Sequence, residues 1–353
     1  MGTFCRHFGI CGGCAHQDLA PPAYRSLKRD MVVRALARQG FADAIVEEIV
    51  EVAPATRRRA VFKVEKHDGA VGIGFHAARS HAIVDMRECH VLTPALTALV
   101  AGLRELMAAL LREGEGAELR VSETDSGFDI AIRWKRTDNP ATNALIARRA
   151  GPLKLARVTA NGRTLVELAA PTIRFGKTVV KLPPDAFLQP TRQGEAALQA
   201  RVLAATKGAK RIADLFAGLG TFALPLAEFA RVHAVERDGA MLDALAAAAR
   251  TTQGLKPVTT EKRDLFKEPL IAAELERFDA VVLDPPRAGA LAQARALAQS
   301  TVGRVAYVSC DPASFARDAR ILADGGYRMG PVVPVDQFLW SSHIELMAAF
   351  ARK

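Results

Sequence analysis

From Arg211 onward the chain repeats one pattern, a short apolar run followed by a stretch with helical spacing. RIADLFA, VHAVE, VTTEKRDLF, FDAVVLD and RVAYVSC read as strands, helices begin near 221, 239, 290 and 312, and two further strands close the sequence. Strands that alternate with helices join through right-handed crossovers into a parallel sheet covered on both faces. The expected fold class is α/β, a doubly wound, Rossmann-like sheet with ligands at the carboxyl ends of its strands.

Each of those strand ends carries chemistry. The first runs into Asp214-Leu215-Phe216-Ala217-Gly218-Leu219-Gly220-Thr221, whose glycines let a ligand approach the backbone as a helix begins. Glu236 closes the second strand 18 residues after Gly218, where an acidic group receives the ribose hydroxyls of a nucleoside cofactor. Gly218-x-Gly220-x-x-Ala223 also fits a dinucleotide loop, so NAD and S-adenosylmethionine both stay open at this point. Asp264 ends the third strand, on the adenine side. Asp284-Pro285-Pro286 ends the fourth as a rigid, polar lip for a planar substrate, and Arg287 stands where enzymes that methylate base nitrogens carry an aromatic residue. Cys310 ends the fifth. Asp311 can cap the next helix and Pro312 suits its first turn, so the helix dipole is expected to favour a thiolate at Cys310. The competing reading is an inert, buried small hydrophobe.

The amino-terminal half has a different texture. Residues 1–192 hold 28 of the 48 basic and 20 of the 38 acidic residues, so most of the +10 net charge lies there, suiting a polyanionic partner. A basic helix is expected near 22–39. Beyond Pro54, strands and helices mix through about 182, and Pro183-Pro184 marks a change of pattern. The expectation is an α+β domain over 1–186 and a second domain over 187–353. Arg57, Arg58, Arg59 and Lys63 lie on one strand and serve either phosphate binding or a solvated edge. Cys5, Cys11, Cys14 and Cys89 make a thiol set separate from Cys310, with Gly12 and Gly13 letting the loop wrap a small group. In a reducing compartment a metal site is favoured over disulfides, and four thiolates suit zinc or an iron-sulfur cluster. No apolar run is long enough to span a membrane and no signal peptide is evident, so a cytoplasmic protein is expected, with no obligate protein partner indicated.

CGGCAHQ, FLQPT at 187–191, the glycine loop, DPPRAG, SCDP and HIELMAAF together resemble the S-adenosylmethionine-dependent RNA uracil-C5 methyltransferases, over nearly the whole chain. The cysteine loop resembles their iron-sulfur branch, which acts on 23S ribosomal RNA. The resemblance implies a class I methyltransferase sheet behind an amino-terminal cluster-bearing, RNA-binding domain, with residues 17–48 packing on the catalytic domain. It implies that Cys310 is the nucleophile and Glu345 the base. It further implies that Gln189, Phe216, Gly218, Thr221, Glu236, Asp264 and Asp284 bind S-adenosylmethionine, Gln189 and Asp284 also facing the uracil. Cys5, Cys11, Cys14 and Cys89 would hold a cluster, of the 4Fe-4S type, with zinc as the alternative. Only four residues precede Cys5, so the small β-barrel RNA-binding domain of many relatives is expected to be lacking. FLQPT departs from the family pattern at Pro190, and WSSHIE lacks a proline and a histidine common before the terminal His-x-Glu. The alternatives are a transfer-RNA uracil-C5 methyltransferase, an NAD-dependent iron-sulfur oxidoreductase, and a non-catalytic RNA-binding protein.

Overall fold

The computed structural model describes residues 5–136 and 139–352. Helix α1 (Pro21–Ala37) opens on two prolines that suit a first turn, and its buried Tyr24, Lys28, Val32 and Leu36 recur every four positions as one stripe. Val32 and Leu36 pack with Phe315, Leu322 and Tyr327 of the carboxyl-terminal half. Strand β1 (Val50–Glu51) joins the same half, parallel to Val335 and Asp336.

The chain then builds a seven-stranded sheet from β2 (Arg59–His67), β3 (Ala70–His76), β4 (Ile83–Asp85), β5 (Gly116–Thr124), β6 (Gly127–Trp134), β7 (Leu155–Ala160) and β8 (Arg163–Glu167). Its order is β4-β3-β2-β5-β6-β7-β8, and α2 (Pro94–Leu110) and α3 (Pro140–Ala150) close one face over Phe62, Val64 and Leu119. Asp68 and Gly69, both at positive φ, make the tight turn between β2 and β3. The hairpin of β9 (Thr172–Phe175) and β10 (Thr178–Lys181) puts Ile173, Phe175 and Val180 into the carboxyl-terminal core.

After α4 (Arg192–Ala205) the alternation runs β11 (Arg211–Leu215), α5 (Ala223–Leu226), β12 (Arg231–Glu236), α6 (Gly239–Thr251), β13 (Val258–Lys262), α7 (Ala272–Leu275), β14 (Ala280–Leu283), α8 (Leu291–Gln299), β15 (Arg304–Ser309) and α9 (Pro312–Asp324). It ends in β16 (Tyr327–Asp336) and β17 (Glu345–Arg352), giving one sheet in the order β1-β16-β17-β15-β14-β11-β12-β13. Leu215, Val281 and Tyr307 face one core, while Ile212, Val282 and Ala306 face the other, so these strands are apolar on both sides. Strands β11 to β15 are parallel, and the chain leaves β11 toward β12 on one side and reaches β14 on the other. That reversal opens a crevice at the carboxyl ends.

The helix expected from about 221 is confined to Ala223–Leu226. Pro225 has no N–H to give the Thr221 carbonyl, which instead accepts a 2.9 Å bond from Gln199 Nε2.

The arginine run is not a solvated edge. Arg58 is buried, its Nη2 lies 2.6 Å from Glu195 Oε2, and its Nε donates to the Gln189 carbonyl at 3.0 Å. Arg59 Nη1 donates to the Leu188 carbonyl at 2.8 Å and its guanidinium stacks on Phe187. The run therefore fastens the segment bearing Gln189 to the amino-terminal sheet. Glu195→Ala leaves Arg58 buried without a counter-charge, and we expect a loss of about 3–5 kcal/mol, read as a lowered urea midpoint.

Candidate active site

A cavity of about 540 Å³ lies at the switch point, lined by Gln189, Phe216, Gly218, Thr221, Glu236, Asp264, Asp284, Cys310 and Glu345 among others. The glycine loop shapes one end. Phe216 has φ +63, a strained value for a residue with a side chain. Gly220 has φ +89, and a Cβ there would meet Leu224 and Leu245 at 2.9 Å. At Gly218, φ +52, a Cβ would meet nothing within 4 Å, so the loop presents open space to a ligand. The Glu236 carboxylate is fixed by backbone donors, Gly218 N–H at 3.0 Å on one oxygen, Arg237 and Asp238 N–H at 2.7 and 2.8 Å on the other. Phe216 and Phe266 pack at a tilt of 57° with ring centroids 5.5 Å apart, on the same cavity as Asp264. Behind the loop, Asp214 is fully buried. Burial, then the Asp284 charge, holds it well above the usual carboxylate range.

The other end collects polar side chains. Gln189 Nε2 donates to Asp284 Oδ2 at 3.3 Å, and Gln337 Nε2 donates both to Gln189 Oε1 at 2.8 Å and to Glu345 Oε2 at 3.0 Å. Burial pushes Asp284 up, to about 7. Burial, then the Asp284 charge, pushes Glu345 up to about 8. Cys310 follows β15, and Asp311 caps α9 by accepting from Ala313 and Ser314 N–H at 3.0 and 2.9 Å. The expectation that this setting favours a thiolate is corrected. Burial, then Glu345 and Asp284, pushes the Cys310 thiol up to about 12, and the capping Asp311 adds to the rise. The helix dipole is outweighed by burial and by carboxylates that the sheet brings in from β14 and β17.

Cys5, Cys11, Cys14 and Cys89 line a second cavity, about 380 Å³, with His343 and apolar neighbours. Burial raises all four thiols, Cys14 to about 12, and each of the four sits close enough to another to repel it once ionised. Among the described residues no three His, Cys, Asp or Glu side chains gather tightly enough to hold a metal ion. Arg57 and Phe338 line both cavities and stack at 5.8 Å, so they form the wall between them.

Gln337 and Phe338 are the site residues that the sequence reading missed, whereas Arg57, a phosphate-binding candidate there, lines the cavity. The only signal was Asp336-Gln337 at a strand end, polar residues after an apolar run. No helix among the described residues is long and apolar enough to cross a membrane.

Residues 172–353 match the family model described as tRNA (Uracil-5-)-methyltransferase. An uncharacterized RNA methyltransferase of Rhizobium meliloti is 44% identical over 99% of this chain and 85% of its own length. A 23S rRNA (uracil(1939)-C(5))-methyltransferase of Chromohalobacter salexigens is 36% identical over 99% of this chain and 76% of its own. Among solved structures, the tRNA (uracil-54, C5)-methyltransferase of Pyrococcus abyssi, in complex with S-adenosyl-L-homocysteine, superposes with TM-score 0.74 over 97% of this chain and 86% of its own, at 21% identity.

Proposed function

Because the chain belongs to the S-adenosylmethionine-dependent RNA uracil-C5 methyltransferases, we propose that it methylates carbon 5 of one uridine in 23S ribosomal RNA through a covalent Cys310 adduct. One observation carries the mechanism: Cys310, Glu345 and Asp284 converge on a cavity that also contains the glycine loop.

Carbon 5 of uracil is a poor nucleophile, and adding a thiolate to C6 turns it into an enolate carbon that can attack a methyl donor. Cys310 is the group placed to add. S-adenosylmethionine, when bound, supplies the methyl group. Gly218 leaves room for it, Glu236 has carboxylate oxygens suited to ribose hydroxyls, and Asp264 and the Phe216–Phe266 pair offer an adenine slot. Glu345 then takes the C5 proton, the C–H electron pair re-forms the C5–C6 double bond, and Cys310 departs as thiolate. Gln189 and Asp284, joined side by side, offer a donor and an acceptor to the edge of the ring. A stacked base cannot reach Cys310, so the target uridine enters unpaired or splayed out.

The raised thiol has a consequence. Burial, then Glu345 and Asp284, keeps Cys310 protonated, and the positive sulfonium that S-adenosylmethionine would bring into the same cavity would offset the two carboxylates. Alkylation of Cys310 by iodoacetamide, followed by peptide mass, is expected to speed up about tenfold with S-adenosylmethionine and not with the uncharged S-adenosylhomocysteine.

The four cysteines suit a cluster better than one ion. Zinc needs its sulfurs about 2.3 Å from one point, whereas these surround a void with a guanidinium, Arg57, in its wall. We assign them an iron-sulfur cluster of structural role, fixing the loop against the 338–343 segment, where Ala15 and His16 N–H donate to the Trp340 carbonyl. Anaerobically purified protein is expected to hold about four iron and four sulfide per chain, and Cys14→Ser to lose them.

A ribosomal target is supported by the Chromohalobacter salexigens relative. Its test is mapping of 5-methyluridine after incubating the enzyme with unmodified 23S rRNA and tRNA. One new site in 23S rRNA is expected. Modification of tRNA alone would replace that substrate with transfer RNA.

A further inference from the structure

Gln337 lies outside the cavity wall, yet it is 1% exposed and connects two of the groups that form that wall. Both N–H bonds of its amide are engaged, one on Gln189 Oε1 and one on Glu345 Oε2. Among the described residues it is the donor that reaches the Glu345 side chain.

Four parts of the chain hold this amide in place. Val335 and Glu345 are register partners across β16 and β17, which puts Gln337 just past the strand end and opposite the carboxylate. The preceding Asp336 is fully buried, bonded 2.9 Å from Lys28 Nζ and to the Tyr24 hydroxyl, both on α1. Lys28 also donates to the carbonyls of Phe338, at 3.3 Å, and His343, so α1 grips both ends of the segment that follows Gln337. At Gly194, in the first turn of α4, an added Cβ would stand 2.7 Å from Gln337 Cβ and Oε1, so the helix leaves room for this side chain by carrying no side chain of its own.

We infer that Gln337 is a positioning residue for the general base: its amide aims the Glu345 carboxylate into the cavity, favours the ionised form, and ties the base to Gln189. The inference rests on the reading of Glu345 as the base. The titratable groups facing Glu345 are Asp284 from the end of β14 and Cys310 from the end of β15, both of which become negative, while the cations Arg57, Arg59 and Arg287 line the same cavity. Gln337 opposes the two negative neighbours by donating to the carboxylate. The step it serves is the last one. Glu345 accepts the C5 proton, the C–H pair forms the C5–C6 double bond, and the C6–Sγ bond breaks with its electrons returning to Cys310.

Gln337→Met keeps length and volume and removes the donor. With full-length enzyme and unmodified RNA substrate, turnover is expected to fall at least tenfold. The acid limb of the kcat–pH profile is expected to move up by about one unit, and a denaturation-resistant Cys310–RNA adduct to build up in the steady state. Gln337→Glu places a second acid against Glu345 and is expected to move the limb further in the same direction. Thermal melting and S-adenosylmethionine titration report whether each variant is folded. Wild-type turnover in both variants, or a uniform slowing with an unmoved acid limb and no adduct, overturns the inference. The reading beneath it fails separately: Glu345→Gln turning over slowly and linearly with no Cys310–RNA adduct would place the base elsewhere, whatever the Gln337 variants do.

Discussion

Cys310→Ala is expected to lower 5-methyluridine formation by at least ~10⁴-fold, a loss of the size seen when a nucleophile is removed from a covalent enzyme. The other side chains on the cavity offer no substitute. The carboxylates are weaker nucleophiles toward C6, Asp284 is bonded to Gln189, and Glu345 to Gln337. The remaining four cysteines line the separate cavity beyond Arg57 and Phe338. The substitution removes one sulfur from a partly exposed position, so the fold and S-adenosylmethionine binding are expected to persist. Radiolabel transfer to RNA, measured beside a cofactor titration, checks both halves. Wild-type transfer by this variant would sink the covalent mechanism outright.

The carboxyl-terminal sheet was legible because each of its strands is an apolar run bounded by turn residues, and because parallel strands need helices between them. The strand ends were legible for the same reason, since in such a sheet all carboxyl ends open on one side. What escaped has a physical pattern of its own. Strand β1 is two residues long and has no periodicity, and α1 has the pattern of any basic helix; only the family resemblance implied that residues 17–48 pack on the catalytic domain, and the stripe of α1 meets Phe315 and Tyr327 nearly 300 positions away in sequence. The arginines at 57–59 are consecutive and charged, as at an exposed edge, but Arg58 and Arg59 are held by Leu188, Gln189 and Glu195, distant in sequence. The state of the Cys310 thiol was misread for that reason too. Asp311 and Pro312 are its neighbours in sequence and describe a helix start, whereas its neighbours in space are Glu345 and Asp284. Local chemistry predicted a thiolate, and burial together with the assembled charges reverses it.

Glu345→Gln is expected to separate methyl transfer from release. Addition of Cys310 to C6 and attack by C5 need no base at Glu345, so the variant should complete one methyl transfer and then stall with the RNA still bonded to Cys310. A burst approaching one methyl per enzyme, followed by turnover lowered ~10³-fold, is the expected time course. An adduct surviving denaturation should rise with that burst. Linear slow turnover without adduct would place the base elsewhere. The fold control follows from the raised carboxyl. A carboxylate whose folded pKa lies above its unfolded value adds stability at low pH, and that contribution is lost as pH rises through the folded pKa, here about 8. Glutamine cannot ionise, so the variant escapes this loss: its melting temperature relative to wild type should climb from about pH 5 to about pH 8 and level off above that. A variant that melts higher in alkali while failing to release RNA has lost the base and kept the structure, and no general weakening of the site would produce both results together.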